Sequence, residues 1–124
     1  MTQAEQDNRR PRRLDELEDV YDYLDEVRLR PGIYVRGSSI FHLASILYGY
    51  HVACEINGIP STTDFEPGGP FNKWLGPRLG LGYESSLGWS REIERAAEAA
   101  GTPPLDLFFS LLDEFRAEHD QAAR

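Results

Sequence analysis

Residues 38–58 read SSIFHLASILYGYHVACEING, and this stretch decides the fold class. It carries one formally charged side chain, Glu55, and its apolar residues recur at three- and four-residue spacing around more than one face. Such a pattern is typical of a helix that lies at the centre of a domain. Ser38 and Ser39 are candidate N-caps, and the closing Asn-Gly pair is a C-terminal signal. The sequence therefore predicts a central helix over residues 39–57.

The segments on either side also show helical periodicity. One helix is predicted from Leu14 to Arg30, because apolar residues recur at helical spacing and the following proline stops it. Three more are predicted after the central helix: a short one that Gly76-Pro77 breaks, one that begins at Trp89, and a final one from about residue 103. The fold class is thus mostly α, a compact bundle of four or five helices with an irregular Gly/Pro-rich middle segment. We expect residues 14–120 to form a single helical domain.

The apolar positions of these helices predict the core. Its members are Leu24, Val27, Leu43, Leu47, Tyr50, Trp89, Ile93, Phe108, Leu112 and Phe115. Gly32 is expected to adopt a backbone conformation closed to other residues, followed by an extended Ile-Tyr-Val run. The ring of Tyr34 is expected to pack on the central helix.

Composition excludes several classes of function. The net charge of −8 and pI near 4.8 disfavour direct binding to nucleic acid or anionic membranes, which requires clustered positive charge. The single cysteine allows no internal disulfide, and no apolar run approaches the roughly 20 residues that span a bilayer. We expect a cytoplasmic protein whose partner, if it has one, is basic. Residues 1–13 are polar and arginine-rich, and we expect a disordered arm there.

The segment RLRPGIYVRG, residues 28–37, resembles the N-terminal stretch of the GHKL ATPases of the DNA gyrase B type. The matching positions are Val27, Arg28, Arg30, Pro31, Gly32, Tyr34, His42 and Leu43. Extending that match places Ile46, Gly49 and Tyr50 where the family has its catalytic Glu, its Asp and its magnesium-binding Asn. An aliphatic side chain cannot activate water, and a phenol is a poor ligand for magnesium. The resemblance therefore implies a turn without the catalytic residues.

A second resemblance covers more of the chain. Small uncharacterised bacterial proteins share an Arg-Pro-Gly-Met-Tyr-Leu-Gly segment, a helix with Gly-Tyr, and a final Phe-Phe-x-Leu-Leu-Asp-Glu-Phe helix. The corresponding residues here are Arg30, Pro31, Gly32, Tyr34, Gly49, Tyr50, Trp74, Gly88, Trp89 and 108–115, with Arg36 in place of the last glycine of the first segment. Some of those proteins resemble immunity partners of bacterial toxins. The resemblance implies no catalytic residue.

Candidate chemical sites are incomplete. His51, Cys54 and Glu55 share a helical face at a spacing compatible with metal ligands, but they lack a fourth ligand. Cys54 with His51 as its base lacks a third member of a catalytic triad. We therefore predict no catalytic residue, no cofactor and no metal.

Seven carboxylates are predicted to lie on the first helix: Asp15, Glu16, Glu18, Asp19, Asp22, Asp25 and Glu26. They form either a solvated surface or a docking face for a basic protein, which includes mimicry of nucleic-acid phosphates. The predicted function is a non-catalytic acidic protein-binding module, in its specific form an immunity or antitoxin-type inhibitor of a basic bacterial effector. The predicted contact residues are Asp22, Asp25, Glu26, Arg30 and Tyr34. The alternative is a small enzyme or a nucleotide-binding remnant that uses the Arg30–Tyr34 turn.

Overall fold

A computed structural model describes residues 10–82 and 85–122. Within those ranges the chain is helical and contains no β-strand, which confirms the mostly α fold class. The helices are α1 (Val20–Leu29), α2 (Pro31–Tyr34), α3 (Ile40–Asn57), α4 (Pro70–Arg78), α5 (Trp89–Ala100) and α6 (Pro104–Ala122). Two single 3₁₀ turns, Leu14–Glu16 and Arg36–Ser38, flank the first two helices.

The chain divides into two compact units. The N-terminal unit is Met1–Ser38 and the C-terminal unit is Ser39–Arg124. The expectation of a single domain over residues 14–120 stays a prediction. Residues 1–9 of the predicted disordered arm lie outside the described residues, whereas residues 10–13 are bonded to the segment that follows them.

Helix α3 begins and ends as its sequence predicts. The Ser39 hydroxyl accepts hydrogen bonds from the backbone N–H groups of Phe41 and His42, and Gly58 ends the helix in the left-handed region, with φ 63°. Only one side of the helix is buried, however, and the side chains on its other side are exposed to solvent. Tyr50 is 39% exposed, so its assignment to the core was wrong.

Helix α1 is shorter than predicted. It begins at Val20, because the Asp19 carboxylate accepts a hydrogen bond from the Asp22 N–H (2.9 Å) and so serves as its N-cap. Residues 14–16 form a separate 3₁₀ turn before it. The prediction that seven carboxylates share one helix was therefore wrong, since four of the seven precede its first residue.

The segment after α1 also differs from its prediction. Pro31 opens the short helix α2 rather than an extended run, since proline is well suited to the first helical position. Gly32 lies inside that helix, and a Cβ added there would meet nothing within 4 Å. The expectation of a restricted conformation at Gly32 was wrong. The left-handed glycine of this segment is Gly37, with φ 63°.

The C-terminal unit has an aromatic core. Phe71 of α4 lies at 0% exposure, with ring centroids 6.0 Å from Phe108 and 5.3 Å from Phe115. The rings of Trp89 and Phe108 are 5.0 Å apart. Nine of the ten predicted core residues are buried, but Phe71 was missing from the prediction.

Helix α4 continues through the Gly76-Pro77 pair and ends at Arg78, so the predicted break at that pair was wrong. Proline has no backbone N–H to donate. In the last turn of a helix, the missing N–H costs a single hydrogen bond. The helix is also tied to α6, where Arg78 donates two hydrogen bonds to Glu114 (2.8 and 3.0 Å). The indole N–H of Trp74 donates to the carboxylate of Glu118.

Candidate binding surfaces

The N-terminal unit contains a buried carboxylate. Glu26 is 1% exposed and accepts two hydrogen bonds from Arg12, one from its backbone N–H (2.8 Å) and one from its Nε (3.0 Å). The Arg12 guanidinium also donates to the backbone oxygen of Asp22 at 3.0 Å. A buried charge requires a partner of this kind, because desolvation penalises an unpaired carboxylate heavily. Arg12 thereby holds the start of the described chain against α1.

Two further carboxylates of this unit pair with arginines that precede them in the chain. Arg10 pairs with Glu16 at 3.0 Å, and Arg13 pairs with Asp15 at 3.1 Å. The hydrogen bond from Arg10 lowers the pKa of the Glu16 carboxyl below its ordinary value. The negative charge of residues 15–26 is therefore compensated to a large extent by arginines of the same unit.

Counting charges by unit shows where the negative excess lies. The N-terminal unit holds seven of the 13 cationic residues and nine of the 21 anionic ones, a net charge of −2. The C-terminal unit holds the other six cations and twelve anions, a net charge of −6. Most of the net charge of −8 therefore belongs to the unit that lacks the conspicuous acidic run.

The predicted contact residues occupy three different settings in the N-terminal unit. Asp22 and Asp25 lie on α1, where Asp25 is exposed and Asp22 accepts a hydrogen bond from the Glu18 N–H (2.8 Å). Glu26 is buried, which contradicts its assignment to an exposed contact face. Arg30 is the C-cap of α1.

Tyr34, the fifth of these residues, meets Tyr23 edge-on at 5.8 Å between ring centroids. Burial raises the pKa of the Tyr23 phenol above its ordinary value, and the neighbouring Tyr34 adds to the effect. Arg30 thus precedes the short helix α2 as its N-cap, and Tyr34 is the last residue of that helix.

The C-terminal unit contains an open cleft of about 500 Å³. One wall is the Tyr48 side of α3, another is the loop that contains Phe65, and the third is the turn before α5. Trp89 and Asn72 also line it, and both are buried. Tyr48 is 60% exposed and Leu87 is 55% exposed, so the cleft presents large apolar side chains to solvent.

Local sequence explains the shape of this cleft. Gly68 and Gly88 adopt φ values of 75° and 85°, which side chains rarely tolerate; Gly68 lies inside the turn of residues 66–69 and Gly88 ends the turn of residues 85–88. The Asn72 side-chain amide donates to the backbone oxygen of Glu66 at 2.8 Å and fixes the loop over α4. The sequence marked both loops by their glycines, but it did not show that they face each other.

The residues considered for metal binding or nucleophilic catalysis all lie on α3, but they differ in burial. Cys54 is buried, whereas Glu55 is exposed. The Nε2 atom of His51 lies 3.6 Å from the Glu66 carboxylate. Across residues 10–82 and 85–122, no three His, Cys, Asp or Glu side chains are grouped as metal ligands. In the same ranges, no helix is both long and apolar enough to cross a membrane.

Comparisons with known proteins assign no family to this chain. No protein-family model matches the chain, and neither a curated protein nor a solved structure is detectably similar to it. The two resemblances noted in the sequence therefore stay predictions, and function has to be argued from the surfaces described above.

Proposed function

We propose that this protein is a non-catalytic protein-binding module that binds a basic partner. The observation that carries the proposal is the open cleft in the unit of net charge −6, whose lining combines large side chains such as Tyr48, Leu87 and Trp89 with serines and an asparagine. Apolar clefts bind anchoring side chains, while complementary charge accelerates the encounter and selects the partner. The expected ligand is a protein segment that combines an apolar anchor with lysines or arginines. An immunity-type inhibitor of a basic effector is the narrower form of this proposal, and it rests on the sequence resemblance alone.

The partner contacts are proposed at two places. The anchor side chain enters the cleft between Tyr48 and Leu87, over Trp89. Asp22 and Asp25 of α1 are the proposed electrostatic contacts that remain from the sequence analysis. Glu26 is excluded from this set, because its carboxylate is buried against Arg12.

The test uses two matched variants. Leu87→Asp places a charge in the cleft, and Leu14→Asp places the same charge at another exposed leucine, in the N-terminal unit. A partner is first captured from the source organism on the wild-type protein and then purified. We expect Leu87→Asp to weaken its binding by tenfold or more, whereas Leu14→Asp has little effect, because burying an unpaired charge against an apolar anchor side chain is costly.

The electrostatic part is tested separately. Association with the wild-type protein should slow between low and physiological salt, since charge steering is screened over about 8–10 Å. Asp25→Lys should reduce the association rate if α1 takes part. A partner whose binding tolerates Leu87→Asp and salt alike would refute the proposal. Saturable binding of ATP and magnesium, read by the melting temperature, would favour a nucleotide-binding remnant instead.

A further inference from the structure

One polar side chain of the cleft is fixed in its orientation. Asn72 is 8% exposed and lines the cleft. Its NH₂ group donates a hydrogen bond to the backbone oxygen of Glu66 at 2.8 Å and lies 3.5 Å from that of Phe65. Because both of these neighbours are acceptors, the amide nitrogen has to face the loop. The amide oxygen of Asn72 is therefore held on the side of the group that faces away from that loop.

This amide oxygen is open to a ligand. Among residues 10–82 and 85–122, no group donates a hydrogen bond to it, yet it is not one of the unpartnered side-chain atoms that are sealed from solvent. Since Asn72 is otherwise buried and lines the cleft, the oxygen reaches solvent there. A polar atom in such a setting is poorly hydrated, so a donor on a ligand gains more from it than from an exposed carbonyl.

Aromatic rings line the same cleft. The ring of Phe65, on the loop that Asn72 holds, lies 5.9 Å from the ring of Trp89 between centroids. Tyr48 adds an exposed ring on α3. Rings favour other rings through stacked and edge-on contacts. A volume of about 500 Å³ lies within the ordinary range of ligand clefts, so a bicyclic ring has room to enter.

The cleft offers no opposite charge to a buried cation. Of its described lining residues, none is charged. Two carboxylates adjoin lining residues, and both are already engaged. Glu92 accepts a hydrogen bond from the Ser85 hydroxyl at 2.8 Å and lies 3.5 Å from Arg95, while Glu66 lies 3.6 Å from the Nε2 atom of His51. An arginine or lysine placed in the cleft would lose its hydration without a charged partner, so the basic residues of the partner belong outside it.

The serines of the cleft do not select a donor in the same way. The hydroxyl of Ser85 is already bonded to a carboxylate and to the backbone N–H of Leu87. Ser86 and Ser90 carry hydroxyl groups that rotate and either donate or accept. Among the described lining residues, Asn72 thus offers the side-chain acceptor that cannot turn into a donor.

We propose that Asn72 determines the specificity of the cleft, and that the partner's anchor is a neutral aromatic side chain with a polar hydrogen, from tryptophan or tyrosine. This inference rests on the proposed function and narrows the anchor to a ring that donates to the Asn72 amide oxygen. An indole N–H and a phenolic O–H are the two ring donors that carry no charge at neutral pH. The net charge of −6 of this unit acts on the basic residues that flank the anchor.

The experiment uses analogues of single side chains as probes of the full chain. 3-Methylindole is compared with 3-methylbenzothiophene, in which sulfur replaces the N–H, and p-cresol is compared with p-xylene, in which a methyl group replaces the hydroxyl. Dissociation constants are read from the side-chain amide resonances of Asn72, and the exposed Asn57 amide is the control reporter. We expect a donor probe to bind roughly five- to tenfold more tightly than its isostere, which is the contribution of one hydrogen bond. The pair with the larger ratio identifies indole or phenol as the preferred ring.

Asn72→Ala separates recognition of the ligand from support of the loop. The variant loses the bond to the Glu66 carbonyl, so it should bind both probes of a pair more weakly. A purely supporting role would preserve the ratio between the two probes, whereas we expect the ratio to fall to about one, because the interaction that distinguishes them is removed. Asn57→Ala is the matched control and should keep the wild-type ratio, since Asn57 bonds to Ala53 outside the cleft.

The ways in which this inference fails differ from those of the proposed function. Equal binding of a donor probe and its isostere to the wild-type cleft would overturn the role of Asn72 and leave an apolar anchor site in place. Tighter binding of propylguanidinium than of either ring donor would overturn it in favour of an arginine anchor. If no probe shifts the Asn72 resonances, the inference is wrong, and the effect of Leu87→Asp on partner binding still decides the proposed function. If Asn72→Ala fails to fold, the probe pairs on the wild-type protein decide the outcome.

Discussion

The N-terminal and C-terminal units keep their structure by different means. In the N-terminal unit, arginines near the start of the chain bond to the acidic segment that follows, with Arg12 against the buried Glu26 as the central pair. In the C-terminal unit, close-packed rings around Phe71 and Phe108 form the core. The comparison shows that a conspicuous run of acidic residues does not by itself create an acidic surface, because charges of opposite sign nearby in the chain can compensate it.

The largest effect is expected in the aromatic core. Phe71→Ala should lower the free energy of unfolding by about 3–5 kcal/mol, because it removes a fully buried ring and leaves a cavity. Denaturant titration measures the change, with Phe108→Ala as a reference of matched burial. A loss well below that of Phe108→Ala would show that α4 is only loosely attached to the core of its unit.

The second effect tests the N-terminal unit. Arg12→Ala should cost about 1–3 kcal/mol, because it removes the guanidinium that pairs with the buried Glu26 carboxylate. Arg10→Ala is the matched control, since its pair with Glu16 is solvent-exposed and should contribute little. Hydrogen exchange of the α1 amides reports the difference. Equal exchange in the two variants would mean that the Arg12 pair does not hold this unit together.

Two glycines of the N-terminal unit should change stability by smaller amounts and in opposite directions when each is replaced by alanine. Gly37→Ala should destabilise by about 1–2 kcal/mol, because its φ of 63° places it in the left-handed region. Gly32→Ala should instead stabilise by about 0.5–1 kcal/mol, since the residue is helical and unobstructed. The melting temperatures of the two variants, compared with that of the parent, test this expectation. A destabilised Gly32→Ala protein would restore the original expectation of a restricted turn at that position.

The smallest effect is a pH dependence in the C-terminal unit. The hydrogen bond from Arg78 lowers the pKa of the Glu114 carboxyl below its ordinary value of 4.5. A carboxylate with a lowered pKa stabilises the fold above its unfolded pKa, and that contribution is lost as the pH falls through the folded pKa. Glu114→Gln should therefore cost a few tenths of a kcal/mol at neutral pH.

That difference should disappear in acid. Denaturant titrations at neutral pH and well below 4.5 compare the variant with the parent. A difference that persists unchanged at low pH would show that the side chain contributes through packing rather than through its charge.

The sequence alone determined where most of the long helices lie. The serine that caps α3 and the glycines that end α3 and α5 act on backbone groups within one turn, so their effect depends little on the rest of the fold. The predicted first residue of α1 was wrong, because several acidic residues could serve as its N-cap. The sequence did not show that Asp19 was the one used.

Tertiary structure decided which faces of those helices are buried and which charges remain at the surface. Helix α3 is apolar on more than one face, so its pattern could not show that Leu43 turns inward while Tyr48 turns outward. Glu26 resembles its acidic neighbours in sequence, yet its carboxylate is buried because Arg12, fourteen residues earlier, supplies the compensating charge. The cleft likewise depends on two glycine-rich loops that are separate in sequence. Burial and charge pairing depend on distances across the fold, whereas helix caps depend on neighbouring residues.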